Sequence, residues 1–214
     1  VGDMSNSGVE FELSADLVRS KNVTWNVSLN ATHVKNRVTK LADEFKKETV
    51  EGYNGYIDGS YYVAEDLPLY SFYMREYAGV NDKGESTWWK DITDDKGNVT
   101  GREATTDYAN ATRYIQESAL PDVYGGFSTS VSAFGFDASI AFTYQLGGLV
   151  YDSGYAQFMS SPYGSFAGSN YHKDILNAWS SENTESNIPR LHYGDQYSTG
   201  TSDRFLTSAS YLNI

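Results

Sequence analysis

The sequence predicts an all-β chain of antiparallel strands, each with one apolar and one wet face. Three observations carry this reading. Apolar and polar residues alternate strictly over several stretches of about 9–11 residues. The composition is rich in Tyr (18) and Gly (19), poor in Pro (4) and only 21% charged, so its polarity comes from Ser, Thr, Asn, Gly and Tyr. Connections between the stretches alternate between very short and very long. Tyr suits surfaces that are half apolar and half wet, and Ser, Thr and Asn suit a hydrated strand face.

Each strand follows from its own pattern. Near 9–17, Val9, Phe11, Leu13, Ala15 and Leu17 alternate with Glu10, Glu12, Ser14 and Asp16. Near 24–34, Trp25, Val27, Leu29 and Ala31 share one face and Asn26, Ser28 and Asn30 the other. Arg19-Ser20-Lys21-Asn22 between them is short and polar, as a hairpin needs. A second pair spans 124–134 and 136–147: Phe127, Val131 and Ala133 alternate with serines, then Phe136, Ala138, Ile140, Phe142, Tyr144 and Leu146 recur at every second position around a tight turn at Gly135. A fifth strand is expected over 205–214, with its face ambiguous between Leu206, Leu212 and Ile214 on one side and Phe205 and Tyr211 on the other. A period of two places each set on one side of a sheet.

Two architectures alternate in this way, a transmembrane β-barrel and a secreted β-sandwich. Strand length and the asymmetry of the connections favour the barrel, which has short turns on one side of the membrane and long loops on the other. Counting crossings, both long segments, 35–123 and 148–204, emerge on the same side and are expected as extracellular loops. Phe134 and Phe136 beside the tight turn suit an interfacial aromatic girdle, or ordinary hairpin packing. There is no run of about 18 apolar residues, so no transmembrane helix is expected, and Val1-Gly2-Asp3-Met4 does not read as a secretory leader.

The formal charge of −12 gives no electrostatic reason to bind nucleic acid. With no Cys, thiolate metal sites are excluded, and His33, His172 and His192 lack ligand spacing, so no metal and no cofactor is expected. Glu10 and Glu12 have the roughly 6.5–7 Å separation of an inverting carboxylate pair, but so does any i, i+2 pair on a strand; no catalytic residue is assigned. Asp91 to Gly97 reads as calcium-like yet has Arg102 where an EF-hand needs Glu, leaving a turn as the better reading. Asn-x-Ser/Thr sites begin at Asn22, Asn26, Asn30, Asn98 and Asn110; the spacing of the first three fits a wet strand face. Inside the long segments, Asn81–Gly84 and Asp94–Gly97 are turn signals flanking Trp88-Trp89, where a small hairpin is expected. Asn170 to Trp179 suits a short loop helix capped by Asn170, with Ile175, Leu176 and Trp179 as its apolar face.

An ordered set of segments resembles the SusC/RagA-like TonB-dependent transporters. It comprises Gly8-Val9-Glu10-Phe11, Lys35-Asn36-Arg37-Val38-Thr39, Ser71-Phe72-Tyr73, Pro121-Asp122-Val123-Tyr124-Gly125-Gly126-Phe127, Tyr144-Gln145-Leu146-Gly147-Gly148, Trp179-Ser180-Ser181-Glu182-Asn183 with Ile188-Pro189-Arg190, and Ser202-Asp203-Arg204-Phe205-Leu206. The resemblance implies about five antiparallel strands of a larger barrel of about 22 strands, with the N-terminal plug and its TonB contact outside this chain. It implies a bacterial outer-membrane location in contact with outer-membrane lipid, and import of an oligosaccharide (glycan) or peptide under a SusD-like surface lipoprotein. It implies transport and not an enzyme. Tyr53, Tyr56, Tyr61, Tyr62, Trp88 and Trp89 in the first long segment are then the candidate substrate or lid contacts, because aromatic rings stack on the C–H faces of sugars and are favoured at protein interfaces. The other reading kept from a different class is a secreted carbohydrate-binding β-sandwich. In a sandwich Phe11, Trp25, Val27, Leu29 and Phe142 pack against a second sheet; in a barrel they face lipid.

Overall fold

The structure is a computed structural model that describes residues 2–160, 168, 170–194 and 200–214. Its strands are β1 (Asp3–Arg19) and β2 (Val23–Lys40), then β3 (Glu48–Val50), β4 (Tyr53–Asp58), β5 (Tyr61–Ala64) and β6 (Ser71–Arg75). They continue through β7 (Tyr77–Val80), β8 (Ser86–Thr93), β9 (Val99–Thr105), β10 (Arg113–Ser118), β11 (Val123–Ala133) and β12 (Phe136–Leu146). After β13 (Leu149–Tyr151) come one α-helix, α1 (Ser153–Phe158), then β14 (Leu206–Ser208) and β15 (Tyr211–Asn213). The chain divides into two compact units, one of Val1–Phe72, Gln116–Val150 and Ser208–Ile214, the other of Tyr73–Ile115 and Tyr151–Thr207.

The first unit holds a five-stranded antiparallel wall in the order β1-β2-β11-β12-β15. Its register turns the sequence alternation into two continuous faces. Leu13 lies opposite Leu29, Leu29 opposite Phe127 and Phe127 opposite Phe142. One row away, Ala15, Val27, Thr129 and Ile140 align in the same way. The opposite face carries Glu12, Asn30, Gly126 and Thr143 in one row and Ser14, Ser28, Ser128 and Ala141 in the next. Cross-strand bonds tie this polar face: Ser28 and Ser128 hydroxyls lie 2.8 Å apart, the Gly126 amide donates to Asn30 Oδ1 at 2.9 Å, and Asn26 Nδ2 donates to Asp16 Oδ1 at 3.0 Å.

Among the described residues no second sheet covers the apolar face of these strands. Phe11 is 52% exposed, Leu13 51%, Trp25 39% and Leu29 37%, with Val27 and Phe142 half-buried among their wall neighbours. A sandwich core would bury these side chains, so the face matches lipid contact instead. Trp25 fits that setting, because its indole Nε1 donates to Thr129 Oγ1 at 2.8 Å and so carries no unpaired donor toward hydrocarbon. Phe127 and Phe142 stack with centroids 4.3 Å apart.

Gly125 is required by close approach. A Cβ there would stand 2.2 Å from the Asn30 carbonyl oxygen and 2.8 Å from the Tyr144 hydroxyl. The missing side chain lets Tyr144 lie across β11 and donate to that same carbonyl at 3.0 Å. The β11–β12 joint is the two-residue turn Phe134-Gly135, with φ of 52° and 85°, the left-handed pair that a tight hairpin demands. Phe134 and Phe136 project there at 76% and 81% exposure.

Two expectations differ from what is observed. The strand over 205–214 is divided: a 3-10 turn at Asp203–Phe205 leads to β14, and only Tyr211–Asn213 pairs with β12. The loop helix at 170–179 contracts to a 3-10 turn, Lys173–Asn177, capped by His172 in place of Asn170, and Leu176 is 85% exposed. The short helix that does form is α1, capped by the Asp152 carboxylate on the Tyr155 amide. Its N-cap aspartate is a readable start signal, but Ser-Gly-Tyr-Ala-Gln-Phe lacks the helical periodicity that finds longer helices. The first long segment, expected to hold a small hairpin, contributes β3–β10.

A charge on the apolar face tests its surroundings. With Leu29→Arg near mid-height, the assembled full-length barrel should lose about 2–4 kcal/mol. Ser28→Arg, one position along on the polar face, should cost far less. Denaturant unfolding in detergent measures both.

Candidate functional site

The candidate aromatic residues divide between the two units and between two roles. In the first unit, Tyr62 is fully buried, and its hydroxyl donates to the backbone carbonyls of Glu48 and Tyr53 at 2.8 and 2.9 Å. It ties β5 to β3 and β4 and cannot reach a ligand. Tyr53 is half-buried and supplies that carbonyl. Tyr56 is half-buried against a small core of Val38, Leu41 and Val63, with the ring of Phe45 at 5.4 Å. Tyr61 is half-buried between Tyr70 and Phe72, at 5.5 and 4.9 Å. Phe45 and Tyr70 are 40% and 46% exposed. Sequence reading missed them as companions of Tyr56 and Tyr61; alternation places neither, since Phe45 sits in a 3-10 turn and Tyr70 takes a left-handed φ of 61°.

In the second unit, β7, β8 and β9 form a three-stranded meander, so the hairpin expected around Trp88-Trp89 exists with one further strand. Successive residues of a strand face opposite ways, and the two tryptophans separate accordingly. Trp88 is 1% exposed and meets Tyr108 edge-on at 5.0 Å. It is a packing residue, which removes it from the candidate contacts. Trp89 is half-buried, with the Arg102 guanidinium 5.5 Å from its ring. Arg102 also lies 4.2 Å from the Tyr114 ring, donates to the Tyr114 hydroxyl at 3.1 Å and pairs with Glu76. Tyr114 donates to Asp91 at 2.5 Å, and burial, then Asp91, push its hydroxyl above the ordinary tyrosine range. The sequence marked Asp91 and Arg102 only against a calcium-loop template and did not mark Tyr114; strand pairing Asp91↔Arg102 and the Tyr114 hydroxyl bring the three together.

Both turn signals hold structure by side-chain bonds. Asp94 accepts from the Lys96 and Asn98 amides and from Asn98 Nδ2, which keeps its carboxyl below the usual range, the Asn98 side chain first. These bonds make a turn closed by its own side chains. Asn81 Oδ1 accepts from the Lys83 and Glu85 amides. Gly84, at φ 78°, lies under the Trp179 ring; a Cβ there would be 2.5 Å from Trp179 Cε3. Arg190 closes this contact, donating to the Lys83 carbonyl at 2.6 Å and to Glu85 at 3.2 Å. Trp179, expected on the apolar face of a loop helix, instead follows the helical turn and packs on Gly84 within the second unit.

Other polar candidates have ordinary partners. His33 Nδ1 lies 2.7 Å from the Asp122 carbonyl, and His172 caps its own turn. Among the described residues no group of His, Cys, Asp or Glu is placed to hold a metal ion. Glu10 and Glu12 sit exposed on the polar face of β1. Arg204 is more unusual: it stacks over Tyr77 and Phe205 at 5.2 and 4.8 Å, and burial lowers its pKa from the ordinary arginine value.

An uncovered apolar face, a hydrogen-bonded polar face and tight turns define a transmembrane β-barrel wall. Within that class the chain is similar to SusC/RagA-like TonB-dependent transporters of the bacterial outer membrane. No protein-family model matches the chain. It is 25% identical to TonB-dependent receptor P3 of Formosa agariphila, over 100% of this chain and 21% of that protein. It is 24% identical to TonB-dependent receptor P26 of the same organism, over 100% of the chain and 22% of that protein. Among solved structures it is similar to the RagAB peptide transporter, with a TM-score of 0.74, 26% identity and coverage of 100% of this chain and 22% of that one. To the RagAB peptide importer in its open-open state the TM-score is 0.76 at 28% identity, with the same coverage. The chain thus spans about a fifth of the length of these relatives, and those relatives are receptors and transporters, not enzymes.

Two outcomes follow for the second unit. Trp88→Ala should destabilise it by about 3–5 kcal/mol, seen as faster limited proteolysis in the full-length protein, whereas Trp89→Ala should change it little. The Glu85 carboxyl is held below the usual range, first by the Asn81 amide and then by Arg190. A depressed carboxyl contributes its stability above the unfolded value of about 4.3 and loses it as pH falls through the folded value. The Arg190 clamp should therefore be unchanged from pH 8 to 5 and loosen only below about pH 4, with amide exchange at Gly84 as the readout.

Proposed function

We propose that the parent protein imports a nutrient across the outer membrane, driven by TonB through the N-terminal part outside this chain. The observation that carries this is the wall itself: apolar outward, hydrogen-bonded and polar inward, and matched over its whole length to transporter barrels. In this reading the Ser, Thr, Asn and Glu face lines the lumen. Parity then sends residues 35–123 and 148–204 to the extracellular side together.

The substrate is an oligosaccharide or a peptide. Support for the peptide comes from the RagAB structures, described as a peptide transporter and importer; support for a glycan comes from the partly exposed rings of Tyr70 and Phe45 beside Tyr61 and Tyr56. A SusD-like lipoprotein would close over the extracellular loops. Tyr61 with Tyr70, Tyr56 with Phe45, and Trp89 with Arg102 are the surfaces offered to lid or cargo, since aromatic and Arg side chains dominate such contacts.

Membrane fractionation of the native full-length protein checks the location; recovery in the soluble periplasm would end the reading. For the contacts, Tyr61→Ala and Trp89→Ala should each leave barrel assembly intact and weaken lid association or uptake by roughly five- to thirtyfold, the effect of losing 1–2 kcal/mol. If both variants bind the lid and take up substrate normally, these surfaces have no such role.

A further inference from the structure

The transport reading uses the lumen face and the loops, but the outward face has a distinct upper margin. The 11 residues of β12, rising roughly 3.4 Å each and tilted about 40°, climb about 26 Å, close to the apolar band of about 25 Å of outer-membrane barrels. Phe136 stands at its foot. At its top, Leu146 pairs with Val123, Val123 with His33 and His33 with Val9. The row through His33 is therefore the upper edge of the hydrocarbon band.

Above that row β2 continues without a bulge as far as Arg37. Residues 33, 35 and 37 accordingly stay on the outward face of Trp25, Leu29 and Ala31. Burial agrees: His33, Lys35 and Arg37 are exposed, while Val34, Asn36 and Val38 between them are half-buried or buried. Lys35 then stands roughly 5 Å and Arg37 roughly 10 Å above the band, at the depth of lipid headgroups. The chain as a whole is acidic, with 16 Lys and Arg against 28 Asp and Glu, so three bases at alternate outward positions run against its composition.

We propose that Lys35 and Arg37, with His33 beneath them, bind the phosphate of a phosphorylated membrane lipid. The inference rests on the barrel reading above. A cavity of about 300 Å³ in the first unit is lined by these three residues and by Asp66, Asp122, Pro68 and Leu120 among others, giving the headgroup a slot and its first chain carbons an apolar edge. Arg37 turns Nε and Nη2 to a single oxygen of Asp66, which neutralises that carboxylate and leaves Nη1 without a partner among the described residues. Lys35 makes no ion pair with a described residue and supplies the second cation of a slot that also holds the Asp122 carboxylate. His33 is fixed by its Nδ1 contact with the Asp122 carbonyl at 2.7 Å, which sets the floor of the slot. A long flexible lysine stem lies along apolar surface and lifts its ammonium to the headgroup plane, and anionic lipid attracts each such base.

The test uses the full-length transporter in neutral detergent, with barrel assembly verified first by heat-modifiable migration. Native mass spectrometry follows titration with dioleoyl phosphatidic acid, with dioleoylglycerol (the same chains without phosphate) and with inorganic phosphate as competitor. The expected result is retention of the phosphatidic acid adduct, little retention of the glycerol lipid, and no displacement by millimolar phosphate. Lys35→Gln, which leaves the Arg37–Asp66 pair in place, should weaken the adduct roughly fivefold. Lys35→Arg should preserve it, and Lys35→Gln with Arg37→Gln should weaken it further. Equal retention of both lipids, or no change in the double variant, overturns the proposal, as does complete displacement by free phosphate, which would mark a soluble-anion pocket. A wild-type protein without an assembled barrel would overturn the import reading as well, whereas an assembled barrel without phosphate preference overturns this inference alone.

Discussion

The structure depends first on the backbone hydrogen bond in a medium that offers no water. Within hydrocarbon each unpaired N–H or C=O costs several kcal/mol, so strands cross only when both edges are paired. The long β1–β2 and β11–β12 ladders answer this constraint, and the side chains then follow the pleat. The same bonds that satisfy the backbone fix which residues meet lipid and which meet water. Trp25 shows how strict the requirement is, since its indole N–H finds Thr129 on the apolar face itself. The polar ladder of Asn26, Ser28 and Asn30 completes the logic on the wet side.

The second unit is organised by a different economy. Away from the wall, the chain relies on buried tryptophan, caged arginine and side-chain-capped turns. Trp88 under Tyr108, Gly84 under Trp179 and Arg204 among Tyr77, Tyr151 and Tyr155 hold short strands that could not persist alone. Aromatic richness that composition alone reads as ligand surface is thus divided: part forms the packing of the unit, part remains at its surface.

The wall was legible because a period of two leaves a strong local mark, and Phe11 through Leu17 or Trp25 through Ala31 carry it without interruption. The resemblance extended that reading to the whole chain. Residues 205–214 were less legible, because a turn at Asp203–Phe205 breaks the period before Tyr211 rejoins β12. The site was the hardest part. From the sequence, Trp88 and Trp89 are equivalent neighbours, and only the meander decides which one is inside. Tyr62 likewise differs from Tyr61 only by the side of β5 from which it projects. Tyr70 and Phe45 gave no periodic signal because both lie where the backbone leaves the strand.

The notch at Gly125 has a mechanical meaning. Tyr144 lies across β11 like a bolt in a keyway, its hydroxyl seated on the Asn30 carbonyl two strands away. Sliding β11 by two residues in either direction would bring Val123 or Phe127 under the ring, where no space exists for a side chain. Three strands are thereby keyed against shear at one point. At this notch β2, β11 and β12 are held in one register, and slippage between them would require Tyr144 to leave its seat.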